Sequence, residues 1–289
     1  MLKAKPQNAL ISKDFRCCER PENGRRPNPD PANIGYQKKA LRDCNIFLNL
    51  NVINDHQSFN LPESILGIHE RKEREKEHRR EDILDAAQRV FFEKGLSAAT
   101  MDDIAETAEL SKGALYLYYK SKEDLYLTVM MRGMQLLYDA FNAVANRAYT
   151  PAETLARLSE AYLDYFNNHR DYFRMMHFLQ VPQFHKQVSD EVKQSCGVLN
   201  QRIWSLVNGM LQRCIDEGLL RENLNPAEVG LILWSSATAL MMRIDNEQGI
   251  WREAFQLDLQ ETLKLSNNLL FDAICTEKGR LELKALSNS

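Results

Sequence analysis

The chain has 289 residues, 44% of them hydrophobic and 27% charged, a balance that can bury a substantial core and excludes wholesale disorder. With 37 basic against 40 acidic side chains the net charge is −3. This excludes coating of nucleic acid or membrane by bulk charge, so any such contact must come from a local patch. Only 12 Gly and 9 Pro allow few tight turns, so an all-α fold is expected rather than a sandwich or barrel.

Residues 1–66 hold six of the nine Pro, three of the six Cys and nine Asn, with no sustained periodicity. Arg25 to Pro31 fits neither a helix nor a central strand. The segment is expected to be a disordered or non-native N-terminal extension; in the second case, initiation falls on a non-ATG codon near Leu66. The first 20 residues lack the apolar stretch of a secretory signal. The longest nearly apolar run, Val229 to Met242 with 14 residues, is too short to span a bilayer. A cytoplasmic chain with no membrane partner is therefore expected. Cys17, Cys18, Cys44, Cys196, Cys214 and Cys275 show no metal-ligand spacing and are expected to stay as thiols, Cys196 and Cys214 as packed ones. No metal and no cofactor are expected.

The helical pattern begins after Gly67. Glu70 to Asp82 alternates in sign, with Glu70–Arg74, Arg71–Glu75 and Glu75–Arg79 as i,i+4 pairs. It reads as a solvated lead-in, with phosphate contact by Arg79 and Arg80 as the functional alternative. The pattern then turns amphipathic, with Ile83, Ala87, Val90 and Phe91 on one stripe. Lys94 suits a last turn and Gly95 a left-handed C′ position.

Thr100 is an N-cap candidate followed by acids, Ser111 a second cap and Ser121 a third. Between them fit two short helices, the second over Lys112–Tyr119. Leu110 plugs the turn, and the small Ala105 stands where the helices cross. These are the parts of a helix-turn-helix. On a wheel with Leu115 inward, Tyr118 and Tyr119 lie on or beside the same side, and Gly113 and Leu117 lie opposite. The outer face is small at its N-terminal end and partly aromatic, as a helix entering the major groove requires. Lys112, Lys120 and Lys122 have no acid among them, although the surrounding segment is slightly acidic in balance. Tyr119 is expected in the core, Tyr116 on DNA, and Lys112 and Lys122 on phosphates.

At these residues a resemblance becomes specific. The motifs ILDAAQRVFFEKG (83–95), the Thr100 cap, IAETA (104–108), SKGALY (111–116) and YKSKEDL (119–125) resemble the DNA-binding domain of the TetR family of bacterial transcriptional regulators. Over residues 79–126 all three caps are in register. The resemblance implies a homodimer on a palindromic double-stranded DNA operator, with a ligand-binding C-terminal domain. It maps DNA contact onto Thr100, Lys112, Gly113, Ala114, Tyr116, Tyr118 and Lys122; with Ser111 and Leu117 these form the expected DNA-binding set. One departure is Glu109, where the family usually places Gly in the turn. A left-handed side chain there costs about 1–2 kcal/mol. The expected organisation is 67–126 as the helix-turn-helix domain and 127–289 as a helical ligand-binding and dimerisation domain.

Helical periodicity continues at about 122–148, 152–168, 170–180, 185–217, 226–247 and 252–277, punctuated by Pro151, Pro182, Gly218, Pro226 and Gly249. The last two helices carry apolar faces (Leu231, Trp234, Leu240, Met241; Phe255, Leu259, Leu263, Leu270), and the family pairs such helices across a two-fold axis. Tyr162, Tyr165, Phe166, Phe173, Met176, His177 and Trp204 are candidates to line a pocket for a small apolar or aromatic ligand, against the alternative of ordinary core. His169, His177 and His185 recur every eight residues, not at the i,i+4 spacing of a helical metal pair. No phosphate loop, nucleophile elbow or metal-ligand helix points to an enzyme. The expected function is sequence-specific transcriptional regulation, as a repressor released by ligand. The alternative is an interaction module of the same fold without DNA binding.

Overall fold

The computed structural model describes residues 63–178 and 184–287. The extension expected over 1–66 lies outside the described residues except for its last four, which are already helical. The first helix, α1 (Glu63–Ala98), thus starts ahead of Gly67 and includes it. Residues 70–80 of α1 are all exposed. Arg71 meets Glu75 at 2.8 Å, and such exposed pairs contribute roughly 0.2–0.5 kcal/mol each. From Ile83 onward the three-to-four spacing buries Ile83, Ala87, Val90 and Phe91. Gly95 breaks the helix with φ 71°, at the residue whose missing Cβ allows it.

Helices α2 (Met101–Thr107) and α3 (Lys112–Tyr116) follow. The second short helix is therefore three residues shorter than the expected Lys112–Tyr119. Its exit tightens instead, with Leu117 N–H on Ala114 O and Tyr118 N–H on Leu115 O. The long α4 (Lys122–Ala145) is the central rod; it packs on α1, on α5 (Pro151–Asn168), on α6 (Arg170–Phe178) and on α8 (Asp190–Asp216). Pro151 opens α5 with Thr150 and Glu153 in a reciprocal cap, which satisfies two orphan N–H groups at once.

The helix expected over 185–217 is two, α7 (Phe184–Gln187) and α8, parted at Ser189. The start of α4 enforces the break: Ser121 Oγ donates to Gln187 O at 3.1 Å, and buried Asp124 accepts from Ser189 N–H at 2.7 Å. α9 (Pro226–Phe255) runs through Gly249, where a break was expected, and ends at left-handed Gln256. One glycine in an exposed helix costs about 1 kcal/mol, less than the packing of a 30-residue helix supplies. The full helix is long and apolar enough by length and composition to cross a membrane, which the 14-residue run alone does not suggest. In this fold 33% of its most apolar window is buried.

α10 (Leu259–Ile274) lies against α9, and a helix not anticipated, α11 (Glu277–Ser287), packs on α5. Between them Cys275 pairs with Leu220 in an isolated antiparallel bridge. Gly279 approaches so closely there that a Cβ would stand 2.3 Å from Leu219 O.

α6 ties three regions together. Its Tyr172 lies where a Cβ on Gly133 would stand, 2.6 Å away, and donates its hydroxyl to Gln88 Oε1 of α1 at 2.7 Å. Arg132 of α4 reaches the same Gln88 at 3.3 Å, Asp85 at 2.7 Å, and Glu81. On the other side Arg170 and Arg174 converge on Asp245 of α9, whose side chain is only 2% exposed.

Candidate functional site

The turn between α2 and α3 is a Schellman motif: Leu110 N–H reaches Ala105 O at 2.9 Å and Glu109 N–H reaches Glu106 O at 3.1 Å. Its C′ residue Glu109 has φ 55°, the left-handed geometry for which Gly is the usual choice. Leu110 is half-buried against the core, and Ala105 is buried at the crossing.

α3 stands on Leu115, which is 0% exposed. Opposite it, Leu117 is 85% and Tyr116 45% exposed. Gly113 is exposed, and a Cβ there would meet nothing within 4 Å. Ala114 and Tyr118 are half-buried. Tyr119 is half-buried in the core, where desolvation pushes its hydroxyl up to about 12. Ser111 caps α3 by accepting from Ala114 N–H at 3.2 Å. Thr100 and Asp103 cap each other at α2: Asp103 N–H donates to Thr100 Oγ1 at 3.1 Å, and Thr100 N–H to Asp103 Oδ2 at 2.9 Å. Lys94 also donates to Asp103, at 2.9 Å. Bonds from Lys94 and Thr100 hold the Asp103 carboxyl at about 2.

The two lysines differ from the free cations the sequence suggests. Lys112 pairs with Asp102 at 2.8 Å, both exposed, and that carboxylate raises its pKa. Lys122 donates to Leu96 O at 2.7 Å and Ala99 O at 2.8 Å. It therefore satisfies carbonyls at the end of α1, and one of its three N–H donors remains for other partners.

Further along the chain, a cavity of about 500 Å³ opens between α4, α5, α8, α9 and α10. Of the expected residues, Tyr162, Phe166, Met176 and Trp204 line it. Tyr165 and Phe173 are buried but do not. Phe173 instead supports the wall, edge-to-face with Phe166 at 4.9 Å and tilted on Tyr162 at 6.4 Å. The Tyr165 hydroxyl is buried without a hydrogen-bond partner among the described residues. The side chain of His177 lies outside the described residues. Tyr162 shares a hydrogen bond with Thr238 at 2.6 Å, and desolvation pushes it up to about 12. The aromatic cluster in the sequence misses the contributions of α4, α9 and α10, such as Leu137, Trp234 and Lys264.

The apolar faces of α9 and α10 also divide differently. Met241, Leu259 and Leu263 are buried, and Leu240 and Leu270 half-buried. Leu231, Ile232, Trp234, Met242 and Ile250 on α9, with Leu265 and Leu269 on α10, are exposed. Among the described residues no cluster of three His, Cys, Asp or Glu could hold a metal. Cys214 is buried, its Sγ 3.5 Å from Pro151 O, and burial pushes it up to about 12. Cys196 is half-buried, 3.9 Å from Met134 Sδ.

Residues 83–129 match the family of bacterial regulatory proteins, tetR family. The HTH-type transcriptional activator FasR of Mycolicibacterium smegmatis is 28% identical over 164 residues, 57% of this chain and 72% of that protein. The HTH-type transcriptional repressor KstR2 of the same organism is 34% identical over 80 residues, 28% of this chain and 39% of that protein. The crystal structure of the TetR-family transcriptional regulator PfmR from Thermus thermophilus superposes with a TM-score of 0.50 at 26% identity, covering 66% of this chain and 97% of that one. The helix-turn-helix of α2 and α3 lies inside the matched segment, and the all-helical fold extends the likeness beyond it. Residues 83–129 therefore carry the DNA-binding signature of the TetR family of bacterial transcriptional regulators, within an all-helical fold like that of a TetR-family regulator.

Proposed function

We propose that the protein is a homodimeric repressor that reads a palindromic operator with α3 and leaves it when a small molecule fills the cavity. The observation that carries the DNA-reading half is the bare outer face of α3: Gly113 with nothing near it, and Leu117 and Tyr116 exposed. A backbone without a side chain at the helix N-terminus can approach base edges closely. Thr100, Ser111, Lys112, Gly113, Ala114, Tyr116, Leu117 and Tyr118 form the contact set, with Lys122 contributing through its remaining donor. The reading unit is 67–126, and 127–289 binds ligand and dimerises.

The exposed apolar residues of α9 and α10 support pairing of two copies across a two-fold axis. Two α3 helices would then reach successive major grooves, about 34–36 Å apart. α4 links the two halves: it starts at Lys122 beside the reading unit, and its Met134, Leu137 and Phe141 line the cavity. A ligand shifts operator affinity only by its preference for one arrangement of that rod. The relatives carry opposite signs, an activator and a repressor, and repression is the reading favoured here.

The test is a gel shift on the DNA upstream of the protein's own gene. Tyr116→Ala is expected to weaken the shift by at least tenfold while sedimentation still finds a dimer. Unchanged binding would refute the assigned face.

A further inference from the structure

The buried part of the cavity wall is mostly apolar. Its buried liners Met134, Leu137, Phe141, Leu155 and Met241 are apolar. The buried hydroxyl among them, on Tyr162, is committed to Thr238. The polar liners Asn200, Gln260, Lys264 and Asn267 on α8 and α10, with Ser159 and Asn167 on α5, are exposed or half-exposed. Among the described residues Lys264 is the single charged liner, and no carboxylate faces the cavity. Glu261 touches Lys264 at 2.8 Å from outside the lining, and both are largely exposed, so the pair is weak and readily exchanged.

These placements dictate what can bind. A polar group carried in among these apolar side chains would lose its water without a matched partner beside it, which lowers affinity roughly ten- to a hundredfold. A cationic head at the rim would meet an ammonium and no facing carboxylate. We propose that the cavity takes an amphiphile with an unsubstituted hydrocarbon tail and one anionic head, the tail toward Phe141 and Leu155 and the head at Lys264. This rests on the ligand-responsive reading above, but its test needs no DNA.

Trp204 and Trp234 line the cavity edge-to-face with centroids 5.9 Å apart, and the third tryptophan is Trp251. In the full chain carrying Trp251→Phe, fluorescence therefore reports on the cavity. Decanoate, decanol, decyltrimethylammonium and ω-hydroxydecanoate are titrated as probes. Decanoate is expected to bind most tightly and the ammonium least. Dodecanoate should gain about fifteenfold for its two added methylenes. The terminal hydroxyl should cost about tenfold or more. Lys264→Gln should weaken decanoate about fivefold and leave decanol unchanged. A cation bound as tightly as decanoate, a hydroxyl without effect, or equal loss for decanol and decanoate in Lys264→Gln would overturn the proposal. Decanoate binding that leaves DNA bound would sink the release mechanism and leave the ligand class standing.

Discussion

Glu109 offers a direct measure of how much backbone strain the helix-turn-helix carries. Its φ is 55° in a motif whose hydrogen bonds are otherwise complete. A side chain in that region costs about 1–2 kcal/mol relative to Gly. Glycine gives back roughly 0.4–1 kcal/mol through the freedom it adds to the unfolded chain. Glu109→Gly should therefore stabilise the protein by about 0.5–1 kcal/mol, seen as a rise of roughly 1–4 °C in Tm for a domain of this size. Glu109→Ala keeps the Cβ and should gain nothing; Glu109→Gln separates charge from strain. Gln256, with the same φ of 55° in a turn far along the chain, supplies an independent replicate through Gln256→Gly. Urea and thermal melts of the five proteins, wild type included, decide the matter. Equal stabilisation by Ala and Gly at position 109 would refute the strain argument.

Two further outcomes follow from the polar contacts at the end of α1. Lys122→Met keeps the aliphatic stem but removes two charge-assisted bonds to Leu96 O and Ala99 O, and should lower stability by about 1–3 kcal/mol in urea melts; weakened DNA binding at full stability would instead make phosphate contact its main role. The Asp103 carboxyl is depressed from 3.8 to about 2 by Lys94 and Thr100, so it stabilises the fold above the unfolded value and loses that contribution as pH falls through the folded one. Asp103→Asn should flatten the urea midpoint between about pH 4 and pH 2, and an unchanged acid slope would show the carboxylate to be uncoupled from folding.

The parts of this molecule that local chemistry controls are legible in the amino-acid sequence. Thr100, Ser111 and Ser121 all cap helices, because a short side-chain oxygen reaches an orphan N–H three residues on. The α3 wheel places Leu115 inside and Gly113 and Leu117 outside for the same local reason. Lys122 escapes such reading because its partners are carbonyls 23 and 26 residues earlier, and no pattern in the sequence marks a backbone acceptor. Asp124 escapes it because its burial depends on Ser189, 65 residues away. Aromatic crowding points to the cavity region, but Phe173 and Phe166 differ only in which neighbour they face, and that depends on how α5 and α6 settle on α9. The expected break at Gly249 is absent because one glycine is a weak signal against a helix held along most of its length.

α6 serves several neighbours at once. Met176 lines the cavity and Phe173 backs its wall, Tyr172 bonds Gln88, and Arg174 pairs with Asp245. On the function proposed above, a substitution that reshapes the cavity at Met176 falls one turn from Tyr172, the side chain that seats α1 and with it the helix-turn-helix. On that function, inherited variation in ligand preference and in operator affinity would travel together here, whereas changes at the outer rim on α10 would alter ligand preference alone.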